Sequence, residues 1–395
     1  MTQEDLACII KSVHSKLRRS CINGGDCNEV WENHLEDQQT LKDYAKAMKE
    51  LATNHWEKDK SRETRIVWTE RFITSYFCAN GDLQKLINKD KRSLDFHSSE
   101  LVESLSDEQS ECSRCCGLVF NSSVDLDQHK SDVRLKLSER LKTPFEPLVK
   151  EIRVLDVGSC YAPFLKFEHF NCLSIDLCPA CEDVRQCDFL NVSAHHTESH
   201  GSSVQAALLS EDKRSVTSLP LGWFHGIVFS LLLEYLPSPK QRWTCCVKAH
   251  QLLQVNSVLV IITPDSNRQH RRAQQMKDWK MAIETIGFKR CVYQKLDHIH
   301  CMAFRKTQHR EDYSKVTDMS THLYIPQDFN TQSDSQPIKL GNETRESLKR
   351  SSCTDSNCRL SLERSSSDYI RSNIQELADT AEGVSSIPAD KKRKS

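Results

Sequence analysis

Apolar positions in the first hundred residues recur at helical spacing. Leu6, Ile9, Ile10, Val13 and Leu17 share one face of an N-terminal helix. Further helices are expected over Leu41–His55, Ile66–Cys78 and Leu83–Asp90, punctuated by Asn23-Gly24-Gly25 and Asn80-Gly81. Trp31, Trp56 and Trp68 read as aromatic anchors for packing these helices. The stretch 97–135 is polar and irregular.

From Glu151 the period changes. Short β-branched runs alternate with helical stretches: strands at Ile152–Val157, Cys172–Leu177, Val184–Phe189, Phe224–Leu231 and Ser257–Thr263. Helices are expected at Ala162–Phe170, at Pro239–Leu253 with the proline suited to the first turn, and at Gln269–Ile286 with Gly287 as C-cap. Phe288–Gln294 and Ile299–Arg305 complete the pattern as two last strands. Such alternation, with strands apolar on both faces, predicts an α/β domain with a mostly parallel sheet covered by helices on both sides. The expected organisation is a helical domain over 1–96, a connector over 97–144, the α/β domain over 145–330 and a disordered polar tail over 331–395. The tail is rich in Ser, Asn, Asp, Lys and Arg and holds too little apolar surface to offset the entropy of folding.

Composition narrows the classes. The 395-residue chain has a net charge of −1 and 28% charged residues, and its mean hydropathy is −0.57. No apolar run approaches the ~20 residues that span a bilayer, so no membrane insertion is expected. The N-terminal helix lacks the features of a signal peptide. The 18 cysteines are scattered through apparent core elements; with no secretion signal they read as reduced thiols, which points to a cytoplasmic or nuclear compartment. The balanced charge gives no general sign of nucleic-acid binding. Local basic runs remain: Arg268, Arg271, Arg272, Lys277 and Lys280 around one helix, and Lys391–Lys394 at the end. Both suit solvated surfaces.

Candidate chemistry gathers at strand ends. The run from Val154 to Cys160 carries an apolar strand into Asp156 and then Gly158, where a missing Cβ lets a ligand approach the backbone. It lacks the G-x-G-x-x-G of pyrophosphate sites. Eighteen residues on, Asp176 ends the second strand. There it can take both ribose hydroxyls of an adenosine, or serve as a solvated strand-end carboxylate or helix cap. Asp188 suits the adenine amino group and Phe189 the ring face; a turn carboxylate and a core phenylalanine are the plainer roles. Ser230 and Leu231, at the end of the fourth strand, border the cleft where ligands of open α/β sheets bind. The Asn/Asp-Pro-Pro-aromatic turn of amino-nitrogen methyltransferases is absent after that strand. Cys245 and Cys246 sit within a helix, where thiols are usually buried and inert. Cys112, Cys115, Cys116 and His129 resemble half of a zinc finger without an evident fourth ligand.

Several longer strings carry a family resemblance. Leu155–Phe167, Cys187–Asn191, Phe229–Leu233, Ile262–Ser266, Pro237–Pro239 with Gln241–Trp243, and Leu323–Asn330 resemble the S-adenosylmethionine sensors upstream of TOR complex 1, the SAMTOR family. The likeness is dense over about 150–330. It continues more loosely in Lys11–His14, Tyr44–Met48 and Asn54–Trp56. The resemblance implies a Rossmann-like class I methyltransferase fold with a mostly parallel seven-stranded sheet, preceded by a helical domain. It implies S-adenosylmethionine as ligand, with S-adenosylhomocysteine as product or competing ligand, and Gly158, Asp176, Asp188, Phe189 and Ser230 as ligand positions. Arg65 falls on a family arginine that reaches the ligand from the helical region. By resemblance the partners are the GATOR and KICSTOR complexes: the unliganded protein restrains TOR complex 1 through them, and ligand binding breaks the association. The family is also similar to enzymes that methylate an adenine of ribosomal RNA, so an active RNA methyltransferase is the alternative reading.

Overall fold

The computed structural model describes residues 1–58, 63–78, 81–90, 92, 151–196, 215–265, 269–307, 310 and 312–329. The Cys112/Cys115/Cys116/His129 cluster, the connector and the polar tail lie outside them.

Seven strands form one sheet: β1 (Ile152–Val157), β2 (Phe170–Asp176), β3 (Arg185–Gln186), β6 (Phe224–Ser230), β7 (Leu253–Pro264), β8 (Phe288–Leu296) and β9 (Ile299–Lys306). Their order is β3-β2-β1-β6-β7-β9-β8. All pairs are parallel except those of β9, which runs antiparallel between β7 and β8. This is the mostly parallel α/β sheet that the strand pattern predicts, in the class I methyltransferase order that the resemblance implies. A separate two-stranded piece, β4 (Ser193–His195) with β5 (Ser218–Pro220), was not legible in the pattern. The order reverses between β1 and β6, and the crevice beyond their carboxyl ends is where such sheets bind ligands.

The strands alternate their apolar side chains between two cores. On one face Leu155, Ile175, Phe229 and Ile261 pack against α6 (Pro239–Leu252) and α7 (Gln269–Ile286). Val13 and Leu17 of α1 (Gln3–Ile22) and Trp31 of α2 (Cys27–Glu36) join that core. The α6 helix starts with Pro239 in its first turn, as expected, and the structure adds a reciprocal capping box between Ser238 and Gln241. The α7 helix ends at Gly287, whose φ is +123°. A Cβ there would lie 2.7 Å from the His250 ring.

The other face corrects one expectation. No helix forms over Ala162–Phe170; the segment is a series of turns. Ala162 precedes Pro163, which disfavours helical backbone, and both Cys160 and Ala162 have positive φ, 60° and 55°. Phe164, Phe167 and Phe170 mimic helical spacing, but they cluster on one another across the turn. The uncovered strands are roofed instead by α4 (Arg65–Phe77) and a further helix, α5, over 82–90. Ile66, Trp68, Ile73 and Tyr76 of α4 are at most 2% exposed and share a core with Val154, Val228, Val260 and Ala303. At about 1.5–3 kcal/mol per buried large side chain, these residues bind the N-terminal region to the sheet. The polar tips are satisfied too: Trp68 Nε1 donates to Gln294 (2.7 Å) and the Tyr76 hydroxyl to the Asn256 carbonyl (2.9 Å). Residues Met1–Ser333 form one compact unit.

Candidate functional site

The turn after β1 is built for close approach. The amides of Gly158 and Ser159 both donate to the Ile175 carbonyl, at 2.9 and 3.0 Å, which locks the end of β1 to β2. Gly158 has φ +73°. A Cβ added there would stand 3.0 Å from Leu232 Cδ1 across the crevice.

Asp176 ends β2 at the floor of the same crevice. Its Oδ2 accepts from the Cys160 amide and its Oδ1 from the Cys178 amide, both at 2.9 Å. Burial pushes its carboxyl up to about 6, against those amide hydrogen bonds. Besides these two hydrogen bonds, the Leu177 amide adds a smaller contribution that also favours the charged form, and the ionised carboxylate still has acceptor capacity to spare. That is the arrangement needed to accept two vicinal hydroxyls. Asp156, behind it at the end of β1, is 2% exposed and pushed up to about 7 by burial; the Arg65 charge pulls the other way.

Asp188 follows β3. Its Oδ1 accepts from the Leu190 amide (3.0 Å), and its Oδ2 from Asn191 Nδ2 (2.8 Å) and Trp31 Nε1 (3.2 Å). Phe189 is buried edge-on against Phe229. Ser230 closes β6, and its hydroxyl is buried with no hydrogen-bond partner among the described residues. Leaving such a group unpaired costs ~1–3 kcal/mol, so a polar ligand atom would gain by meeting it. Leu231 takes φ 62°, and its amide donates to the Ile262 carbonyl (2.9 Å), which swings the chain across the crevice.

The crevice is a partly open cleft that brings together Gly158, Asp176, Asp188, Phe189 and Ser230. These residues offer a nucleoside a sugar-gripping carboxylate, an acceptor for an exocyclic amine, an aromatic wall and a turn without a side chain. Arg65 stands apart from the lining. Its Nη2 donates to the Tyr161 hydroxyl (3.0 Å), and its guanidinium lies 5.2 Å from the Trp56 ring centroid. Tyr161 in turn hydrogen-bonds Glu57. Arg65 thus braces the turn that follows Gly158. Cys245 and Cys246 are buried, and burial pushes Cys245 up to about 12 and Cys246 well above the usual thiol value, as expected of inert core cysteines. Lys277 is exposed, and Lys280 lies 3.9 Å from Glu284.

The cleft also has a wall that the sequence did not reveal. Trp31 of α2 and Leu41, Tyr44, Ala45 and Met48 of α3 (Gln38–Leu51) line it from the helical region. Cys160 Sγ lies 3.4 Å from the Ala45 carbonyl, and Lys49 Nζ donates to the Ala180 carbonyl (3.0 Å). Tyr235, on the loop beyond β6, is boxed by rings from three helices: Tyr44 at 4.8 Å between centroids, His14 at 5.6 Å, His34 at 5.7 Å and Trp31 at 5.8 Å. His14 hydrogen-bonds the Tyr44 hydroxyl (3.0 Å) and His34 the Tyr235 hydroxyl. Burial drives His14 down to about 3 and lowers His34, which favours the neutral ring at both positions. The sequence marked Trp31 as an aromatic packing anchor and Tyr44 within a family-like string, and neither signal shows what the side chain meets.

Comparison with known proteins places relatives beside this geometry. The S-adenosylmethionine sensor upstream of mTORC1 of Danio rerio is 40% identical over 330 residues, covering 83% of this chain and 77% of the relative. That of Xenopus tropicalis is 41% identical over 331 residues, covering 84% and 77%. No family model matches the chain. Among solved structures, the N-methyltransferase NodS of Bradyrhizobium japonicum with S-adenosyl-L-homocysteine is 17% identical. It covers 46% of this chain and 87% of its own, at a TM-score of 0.28. The fold assignment rests on strand order and register.

Proposed function

The chain belongs to the family of S-adenosylmethionine sensors upstream of mTORC1, and from that premise we propose that it is a ligand-gated inhibitor of TOR complex 1 signalling. S-Adenosylmethionine occupies the cleft, with S-adenosylhomocysteine as a competing ligand. Asp176 accepts both ribose hydroxyls, and Gly158 lets the nucleoside pass close to the backbone. Asp188 takes the adenine amine, Phe189 walls the ring and Ser230 supplies a hydroxyl. Arg65 steadies the methionine end through Tyr161 and offers its charge to the carboxylate. The unliganded protein associates with GATOR and KICSTOR, and occupancy of the cleft, felt by the α2–α3 wall, ends that association. A ligand can do so only by binding one conformation better than the other.

The observation that carries the sensor reading is the packing around Tyr235. A methyltransferase keeps the space beyond its fourth parallel-type strand for the methyl acceptor. Here the loop beyond β6 is packed by His14, Trp31, His34 and Tyr44. No gripping turn for a planar nitrogen stands there.

The test combines calorimetry with a transfer assay, using the full chain and labelled S-adenosylmethionine with total RNA and protein extracts. Ligand binding without methyl transfer, together with GATOR–KICSTOR capture that the ligand reverses, is the expected result. Turnover on ribosomal RNA would establish the methyltransferase instead, and capture that ignores the ligand would overturn the sensor.

A further inference from the structure

Trp31 is the one indole whose N–H reaches a residue of the cleft among the described hydrogen bonds, and it does so from a helix 157 positions away in sequence. Asp26 caps the start of α2 by accepting the Asn28 amide (2.9 Å), which fixes where the helix begins. The Trp31 ring is 4% exposed and sits edge-on to Tyr235, with 81° between planes. Indole is a donor only, and an ionised carboxylate only accepts. The 3.2 Å contact between Trp31 Nε1 and Asp188 Oδ2 therefore has one polarity.

The lone-pair count at Asp188 gives this contact its meaning. A carboxylate has about four acceptor positions. Trp31 and Asn191 take both positions on Oδ2, and the Leu190 amide takes one on Oδ1. One position is left, on Oδ1, in a residue that lines the cleft beside Phe189. An exocyclic amine can donate to it. A carbonyl oxygen at the same place would meet the carboxylate acceptor to acceptor.

We infer that Trp31 is a positioning residue for base selectivity: by occupying Oδ2 it holds the Asp188 carboxylate in the one orientation that accepts a 6-amino purine and repels a 6-oxo purine. This inference rests on the reading of the cleft as an S-adenosylmethionine site and deepens it. Without the indole N–H, Oδ2 regains a free position and only the Leu190 amide and the Asn191 side chain still hold the carboxylate, so its orientation toward the amine is less tightly fixed. The indole spans from α2 to the strand-end loop, so the helical region takes part in choosing the base.

The test compares S-adenosylhomocysteine with its 6-oxo analogue, S-inosylhomocysteine, by calorimetry on the full chain. Trp31→Phe keeps an aromatic ring against Tyr235 and removes the donor. We expect its affinity for the adenosyl ligand to fall about five- to tenfold, as for the loss of one ordinary hydrogen bond, with affinity for the inosyl ligand unchanged, so that the selectivity ratio shrinks by the same factor. An equal loss for both ligands would make Trp31 a packing residue only, and an unchanged ratio would overturn the inference. Benzothienylalanine at position 31, which puts sulfur in place of the N–H, keeps the ring volume and gives the same readout if the phenylalanine variant folds poorly. Wild-type protein that binds S-adenosylhomocysteine without preferring it over the inosyl ligand sinks the Trp31 proposal alone; wild-type protein that binds neither overturns the ligand reading itself, and this inference with it.

Discussion

Asp176 sets a pH dependence that can be worked out from the cleft. Burial raises its carboxyl to about 6, and the amides of Cys178, Cys160 and Leu177 only partly offset this. Protonation turns one acceptor position of the carboxyl into a donor, so only the ionised form offers its full remaining acceptor capacity to the ribose hydroxyls. Ligand binding therefore favours the ionised form, and affinity rises with pH until the free protein is fully ionised. With a carboxyl near 6, about a tenth of the molecules are ionised at pH 5 and more than nine-tenths at pH 7.4. Affinity for S-adenosylhomocysteine should fall roughly tenfold from its plateau at pH 5. The folding free energy has the opposite sign. A carboxyl raised from 3.8 in the folded state holds its proton longer than the unfolded chain does, so stability falls as pH rises from about 4 to about 6, by at most roughly 3 kcal/mol. Calorimetry from pH 5 to pH 7.5 in two buffers of different ionisation enthalpy reads both affinity and proton release. Release should be near zero at pH 7.5 and climb through about half a proton near pH 6 toward about one proton per ligand at pH 5. Asp176→Asn should bind more weakly and lose the pH dependence, whereas Asp156→Asn should retain it, because Asp156 does not line the cleft. A flat affinity across this range, or a pH dependence that survives in Asp176→Asn, would refute the assignment of Asp176 to the ribose.

Two further perturbations test the scaffold. Asp328→Ala leaves the buried guanidinium of Arg242, which is 0% exposed, without its bidentate partner at 2.6 and 2.8 Å; it should cost about 3–5 kcal/mol and lower the thermal midpoint by roughly ten degrees, and an unchanged melt would show the pair to be dispensable. Gly158→Ala puts a Cβ at φ +73° and 3.0 Å from Leu232, so a loss of ~1–2 kcal/mol in stability is expected, with a larger loss in calorimetric affinity for S-adenosylhomocysteine; wild-type affinity in a well-folded variant would remove Gly158 from the site.

Most of the sheet was legible because its strands are buried on both faces and read as continuous apolar runs. Helix α6 was legible from Pro239, which suits a first turn whatever lies around it; the Ser238–Gln241 capping box acts as locally but was not read. The missing helix after β1 was not legible. The three-residue spacing of Phe164, Phe167 and Phe170 satisfies a helical period, and the two positive φ values that break it depend on the Asp176 carboxylate and the Ile175 carbonyl binding the preceding amides. The floor of the cleft could be read from strand ends, since the fold dictates where those ends converge. The α2–α3 wall could not be read, because Trp31 and Tyr44 meet Asp188 and Tyr235 through tertiary packing that no local pattern records.

The same packing explains how a cleft of this fold can report occupancy. Arg242 spends all five of its N–H groups: on the carbonyls of Leu233 (3.0 Å), Leu236 (2.8 Å) and Leu323 (2.9 Å), and on both oxygens of Asp328. The loop beyond β6 is thereby pinned at two carbonyls on either side of Tyr235. Arg18 of α1 donates to the Glu234 carbonyl of that loop and lies 3.7 Å from Asp328. Loop, first helix and the segment around Asp328 therefore share one buried polar knot, and charges inside such a knot cannot separate without leaving one of them unpaired. If occupancy of the cleft is reported as proposed, the loop beyond β6 is the part this knot holds in place, and the α2–α3 wall is where a ligand-dependent change in hydrogen-exchange protection is expected; protection that stays the same with and without S-adenosylhomocysteine would remove the wall from the mechanism.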